Sequence, residues 1–196
     1  SAIFNRMQNA TERMMQLMDD LLSYSHLSLT PRQKEEVDLN NKIRLVLTDL
    51  EVLVEEKNAD IQVAALPVVH GYKRQLQQLF QNLLSNALKY SKANVPPVIR
   101  IESKKVTGAD VAVALPADMR DKDYHLISVA DNGIGFEQEY AERIFGMFQR
   151  LHGRSEYAGT GVGLSIARKV ADNHNGYVWA ESTVGKGSTF YVLLPA

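Results

Sequence analysis

The sequence predicts an α/β protein: a two-layer sandwich in which helices cover one face of a mixed sheet, preceded by a bundle-type helix. Three observations carry this. Strand-like and helix-like segments alternate from about residue 38 onward, but imperfectly, so the sheet is mixed rather than all parallel. Residues 1–28 repeat apolar side chains in steps of four and three, the spacing of a helical bundle. Short glycine clusters stand where strands lead into loops and helices, places where the backbone must come close to something else.

A chain of 196 residues, 45% hydrophobic and 23% charged, suffices for one well-filled core and an appendage. The division expected is a bundle helix over 1–30 and a globular domain over 38–196. A net charge of −1 gives no reason to expect nucleic acid or an anionic membrane as a partner. The absence of cysteine excludes disulfides, thiolate zinc sites and cysteine nucleophiles, and fits a cytoplasmic protein. No apolar run approaches the roughly 20 residues that a membrane span needs. Ser1-Ala2-Ile3-Phe4 does not resemble a signal peptide and lacks an initiator methionine, so a fragment of a longer protein is expected.

The first helix places Ile3, Met7, Ala10, Met14, Leu17, Leu21 and Tyr24 in one row. With no partner helix in the chain, that row is expected to be covered by another copy or a missing segment rather than by the globular domain. Pro31 and the polar run at 32–36 break the helix. A second helix from about 39 carries Ile43, Val46, Leu47, Leu50 and Val54 on one face, and residues 60–63 alternate as a short strand. A third helix over 72–90 buries Leu76, Leu79, Phe80, Leu83 and Ala87. Strands are expected at 98–102, 125–130, 177–181 and 188–193, helices at 139–145 and 164–173. The stretch 107–123, with Pro116 and several charges, reads as a long hairpin loop.

Chemistry concentrates in three places. On the third helix Asn82, Asn86, Lys89 and Tyr90 form a stripe beside the apolar one. Asparagine is a mediocre helix former, so two at i and i+4 call for a reason. They are either satisfied polar residues at the edge of the core or neutral ligands for magnesium, with Lys89 meeting phosphate. Second, a strand runs into Asp131-Asn132-Gly133-Ile134-Gly135. This is a plain turn, or a carboxylate accepting from an exocyclic amine while the glycines admit a planar ring. Third, Gly159-Thr160-Gly161-Val162-Gly163 leads into a helix at Leu164, where free N–H groups and the helix dipole suit phosphate. It is neither a Walker loop nor a dinucleotide fingerprint. Arg150, His152 and Arg154 precede it, and Gly185-Lys186-Gly187-Ser188-Thr189 enters the last strand.

Taken in this order, these stations resemble the ATP-binding domain of bacterial sensor histidine kinases, within the wider family of gyrase, Hsp90 and MutL. Residues 82–91 resemble that family's asparagine box, and 131–135, 159–163 and 185–187 its glycine boxes. Phe145-Gly146-Met147-Phe148 resembles the phenylalanine box, and residues 148–154 those of PAS- and phytochrome-linked kinases. Asp20-Leu21-Leu22-Ser23-Tyr24-Ser25 resembles the end of the second helix of the dimerisation and phosphotransfer hairpin. The resemblance implies a Bergerat-type sandwich binding ATP and Mg2+ under a lid. Asp131 would accept from adenine, with Gly133, Gly135, Tyr90 and Thr189 near the base. Asn86, helped by Asn82, would hold the metal. Lys89 and Arg150 would act on the triphosphate, and Phe148, Gly159, Thr160, Gly161, Gly163 and Leu164 would close the site. It also implies a homodimeric parent, an acceptor-histidine helix and a response regulator receiver domain as partners.

One departure matters. The family phosphorylates a histidine followed by an acidic residue and Leu/Ile-Arg-Thr-Pro. None of His26, His70, His125, His152 and His174 stands in that setting. The expectation is therefore the donor half of a phosphotransfer reaction, without its acceptor. A hydrolytic relative would need a glutamate where Asn82 stands, because an amide cannot activate water as a base. A nucleotide-binding regulatory module without catalysis stays open.

Overall fold

The computed structural model describes residues 2–29, 33–151, 157 and 159–196. Helix α1 (Ala2–Ser28) covers the predicted heptad stretch. Pro31, His152 and Arg154 lie outside the described residues. Strand β1 (Glu35–Asp38) leads into α2 (Leu39–Asp49), whose first turn is capped by Asp38 accepting from the Asn40 N–H at 2.9 Å. The single helix expected from residue 39 is interrupted at Leu50, and α3 (Glu51–Glu56) continues the chain. There follow β2 (Asp60–Val63), β3 (Val68–Gly71) and α4 (Lys73–Lys89). β1 and β3 pair antiparallel, an addition to the sequence reading. Each inserts one large apolar side chain, Val37 and Val69, too little alternation to reveal a strand.

The remaining elements are β4 (Val98–Thr107), β5 (Asp123–Asp131), α5 (Gly163–Asn173), β6 (Tyr177–Thr183) and β7 (Gly187–Pro195). The main sheet has the order β2-β4-β5-β7-β6. β2 lies parallel to β4 and every other pair is antiparallel, so the sheet is mixed as expected. α4 and α5 lie against it through Leu79, Phe80, Leu83, Ile166 and Val170, which meet Ile99, Ile127, Val129, Val178 and Val192 in one core. Burying each such side chain contributes roughly 1.5–3 kcal/mol, so this layer dominates the stability of the domain.

The predicted hairpin loop carries structure of its own. Residues 108–122 fold over the other sheet face, where Leu115 and Met119 join Tyr124, Leu126, Trp179 and Leu193. The helix expected over 139–145 is instead two 3-10 turns, Gln138–Tyr140 and Arg143–Phe145. Seven residues are too few to repay helix nucleation, and tighter turns serve as the connector.

α1 departs from its expected isolation. Leu27 is buried, and Leu17 and Tyr24 rest against the core beside α5. The Asn173 side-chain amide donates to the Leu27 carbonyl at 3.0 Å and to Gln75 Oε1 at 3.1 Å, which ties down the end of the helix. Ile3, Met7, Met14 and Leu21 of the heptad row are exposed, as are Phe4, Met18 and Leu22 beside it. The helix therefore leans on the domain along part of its length and presents the rest of its apolar face outward.

Candidate functional site

A cavity of about 390 Å³ opens where α4, the end of β5, the start of α5 and β7 meet. Helical spacing brings Asn82, Ser85, Asn86 and Lys89 onto its α4 wall, with Tyr90 at the helix end. The Asn82 Nδ2 atom is buried and has no hydrogen-bond partner among the described residues. A buried amide left unpaired costs about 1–3 kcal/mol, so this side chain has a hydrogen bond to offer to whatever enters the cavity. Turned over, the same amide presents its oxygen.

Across the cavity stands Asp131. Its Oδ1 accepts from the Gly133 N–H at 2.8 Å and the Ser188 N–H at 3.3 Å. Both bonds fall on one oxygen, and among the described residues Oδ2 is left to an incoming donor. Burial pushes the carboxyl's pKa above its ordinary value, while those two N–H groups pull it back. Asn132 fixes the neighbouring strand start: its Oδ1 accepts from the Val98 N–H at 2.8 Å, and its amide donates to the Pro96 carbonyl at 3.2 Å. The Asp-Asn-Gly sequence is thus a cross-strand fastening and not a hairpin turn. Ile134, Phe136, Ile144 and Phe190 give the cavity apolar walls suited to a flat ring.

The far end is backbone. Gly159, Thr160 and Gly161 line it and lead to Gly163 and Leu164 at the start of α5. Gly159 takes a backbone conformation, φ +147°, that side chains rarely adopt, and a Cβ there would displace the Lys89 ammonium, which lies close by. That ammonium also sits 4.6 Å from the centroid of the Tyr90 ring. Arg150 holds the loop from the other side, donating to the Gly159 carbonyl at 2.7 Å and to the Tyr157 carbonyl. The Thr160 hydroxyl donates to Asp20 of α1, and Gln16 lies beside it on the cavity wall.

Of the residues expected from the sequence, Asn82, Asn86, Lys89, Tyr90, Asp131, Gly135, Arg150, Gly159, Thr160, Gly161, Gly163 and Leu164 share this cavity. Gly133 is buried behind the wall. Phe148 lies outside the lining, 55% exposed. Thr189 is also outside it, because β7 alternates and turns Ser188 and Phe190 inward instead. Ser188 was detectable from that alternation; Gln16 and Asp20 carried no signal, since nothing in the sequence places α1 at the site.

The chemistry of the lining is divided. Amides, an ammonium, a guanidinium and glycine backbone suit a polyphosphate, and a carboxylate within apolar walls suits a base with an exocyclic amine. Among the described residues no cluster of three His, Cys, Asp or Glu side chains could hold a metal by itself. A magnesium ion completed by phosphate oxygens and water needs only the one or two neutral amides present here. None of His26, His70, His125 and His174 lines the cavity. His174 is structural: its Nε2 accepts from the Tyr72 N–H at 2.9 Å and its Nδ1 lies 2.7 Å from the Val170 carbonyl, to which it donates.

Residues 71–196 match the family model described as histidine kinase-, DNA gyrase B-, and HSP90-like ATPase. The phytochrome-like protein Cph1 of Synechocystis is 37% identical over 182 residues, covering 93% of this chain and 22% of its own length. The sensor histidine kinase WalK of Bacillus subtilis is 30% identical over 196 residues, 96% of this chain and 29% of its own. The chain thus spans less than a third of either relative. Among solved structures, the catalytic domain of histidine kinase ThkA superposes with a TM-score of 0.64 at 26% identity, covering 84% of this chain and 96% of that one.

Proposed function

The chain belongs to the histidine kinase-, DNA gyrase B-, and HSP90-like ATPase family, as an ATP-binding catalytic module of the sensor histidine kinases, and we propose that it delivers the γ-phosphoryl group of ATP to a histidine on another segment. The observation that carries this is the convergence of the Asn82 amide, unpartnered among the described residues, and the half-buried Asp131 carboxylate on one cavity. Asp131 Oδ2 accepts from the adenine amino group, and Ser188 and Gly133 hold the carboxylate for it. Asn86 and Asn82 would hold Mg2+, which would supply neutralisation of phosphate charge. Lys89 and the N–H groups of the glycine loop orient the triphosphate and stabilise charge developing on it. Arg150 keeps that loop in place.

Asn82 has no carboxylate with which to activate water, which separates this reading from ATP hydrolysis. Residues 1–30 are assigned to a bundle helix and 38–196 to the nucleotide-binding domain. Its partners are then the acceptor-histidine helix of a homodimeric parent and, downstream, a response regulator receiver domain. No described helix is long and apolar enough to cross a membrane. The test is incubation with labelled ATP, Mg2+ and the parent protein's acceptor hairpin. Acid-labile, alkali-stable label on the hairpin is expected. ATP binding without label would identify a regulatory module instead.

A further inference from the structure

Among the described residues that line the cavity, two carry carboxylates, and they stand in different roles. Asp131 belongs to the base end. Asp20 comes from α1 and reaches Thr160, 140 residues away in sequence, in the loop that faces the triphosphate end. Asp20 is half-buried there beside Gln16. An anionic side chain thus occupies a place where the other groups, Lys89, Arg150 and glycine backbone, call for an anionic ligand. It also takes up the Thr160 hydroxyl, a donor that phosphate would use.

We propose that α1 in this position is an inhibitory latch: docking of Asp20 on Thr160 and binding of a nucleoside triphosphate oppose one another. The inference rests on the nucleotide reading of the cavity. Its physical content is a like-charge repulsion together with competition for one donor. The helix has a means of leaving without detaching. Its C-terminal end is held by Asn173 and by buried Leu27, whereas Asp20 lies two turns earlier, where Leu17 and Tyr24 are only partly buried against the core. Phosphate entry therefore lifts the Asp20 turn about the Leu27 anchor. By reciprocity, whatever draws α1 away, such as assembly of its exposed apolar face, raises affinity for the triphosphate by the same factor.

The test uses the whole chain and compares Mg-ATP with adenosine, which lacks phosphate. Asp20→Asn is expected to tighten Mg-ATP about fivefold, the low end of coupling between sites, and to leave adenosine unchanged. Asp19→Asn, an exposed change on the same turn, alters neither. Because the chain has no cysteine, spin labels at Met14→Cys and Val184→Cys, both exposed positions, report the helix directly. Addition of Mg-ATP is expected to broaden and lengthen their distance, and Asp20→Asn to do so without nucleotide. Unchanged or weaker Mg-ATP binding by Asp20→Asn, or a label distance indifferent to Mg-ATP, overturns the latch and leaves the nucleotide site standing. Failure of the unaltered chain to bind either ligand overturns the site itself.

Discussion

At one end of the cavity Asp131 is held by the sheet, between the backbone of its own strand exit and that of neighbouring β7. At the other, Thr160 and its glycines are held by side chains: Arg150 on the Gly159 carbonyl and Asp20 on the Thr160 hydroxyl. The first end is fixed by strand register, which cannot shift without moving a whole ladder. The second is fixed by a few polar contacts that a charged ligand can outbid. On the proposed reading, this difference in construction gives the base a rigid seat and the phosphates an adjustable one.

Four changes break or sharpen that contrast. The largest effect is expected from Gly187→Ala. With φ at +117° and a Cβ falling 2.0 Å from the Asp131 carbonyl oxygen, the substitution forces the two strands apart. It should cost about 3 kcal/mol or more, seen as a lowered thermal midpoint, and take nucleotide binding with it.

Asp131→Asn comes next and should separate binding from stability. The amide oxygen can still serve Gly133 and Ser188, but an NH2 replaces the free acceptor. ATP affinity should fall by about 2 kcal/mol, a roughly thirtyfold loss in calorimetric titration. The nucleotide-free protein should meanwhile become more stable. Because burial raises the folded pKa of Asp131, its protonated form is the stabilising one, and that stability is lost as pH rises through the folded value. At neutral pH the carboxylate is a cost, which the neutral amide removes. A lower midpoint for the nucleotide-free variant would contradict this account.

Lys89→Ala tests the adjustable end. It should weaken ATP by about 1.5 kcal/mol and adenosine hardly at all, since the ammonium stands beside the Gly159 backbone proposed to receive the phosphates. Equal losses for both ligands would place Lys89 at the wrong end. The smallest effect concerns His174, remote from both. Burial lowers its pKa, and protonation would turn Nε2 from acceptor to donor against the Tyr72 N–H. Stability is therefore present above about pH 6.5, the ordinary histidine value, and lost as pH falls through the lower folded value. Thermal midpoints should decline on that side of neutrality, and His174→Gln should flatten the decline.

Legibility in the sequence follows the same division. α1, α4 and α5 declared themselves by period, as did β5, β6 and β7, because each has an apolar face long enough to repeat. β1 and β3 bury one large side chain each and left no pattern. At the site, the α4 stripe and Asp131 could be read locally. Ser188 was displaced by one residue to Thr189, a slip that inverts a side chain across a strand. Phe148 looked like part of the closure, and the backbone instead turns it outward.

What the sequence determined by itself was which segments are helices or strands, and the local chemistry each carries: amides on one helix face, a carboxylate at a strand end, glycines before a helix. Those are short-range properties of backbone and periodicity. Only the tertiary structure decided that β2 pairs parallel with β4, that residues 108–122 cover the back of the sheet, and that α1 brings Asp20 to Thr160. These arise from surfaces far apart in the chain meeting and burying one another. No local pattern encodes which surface will be met.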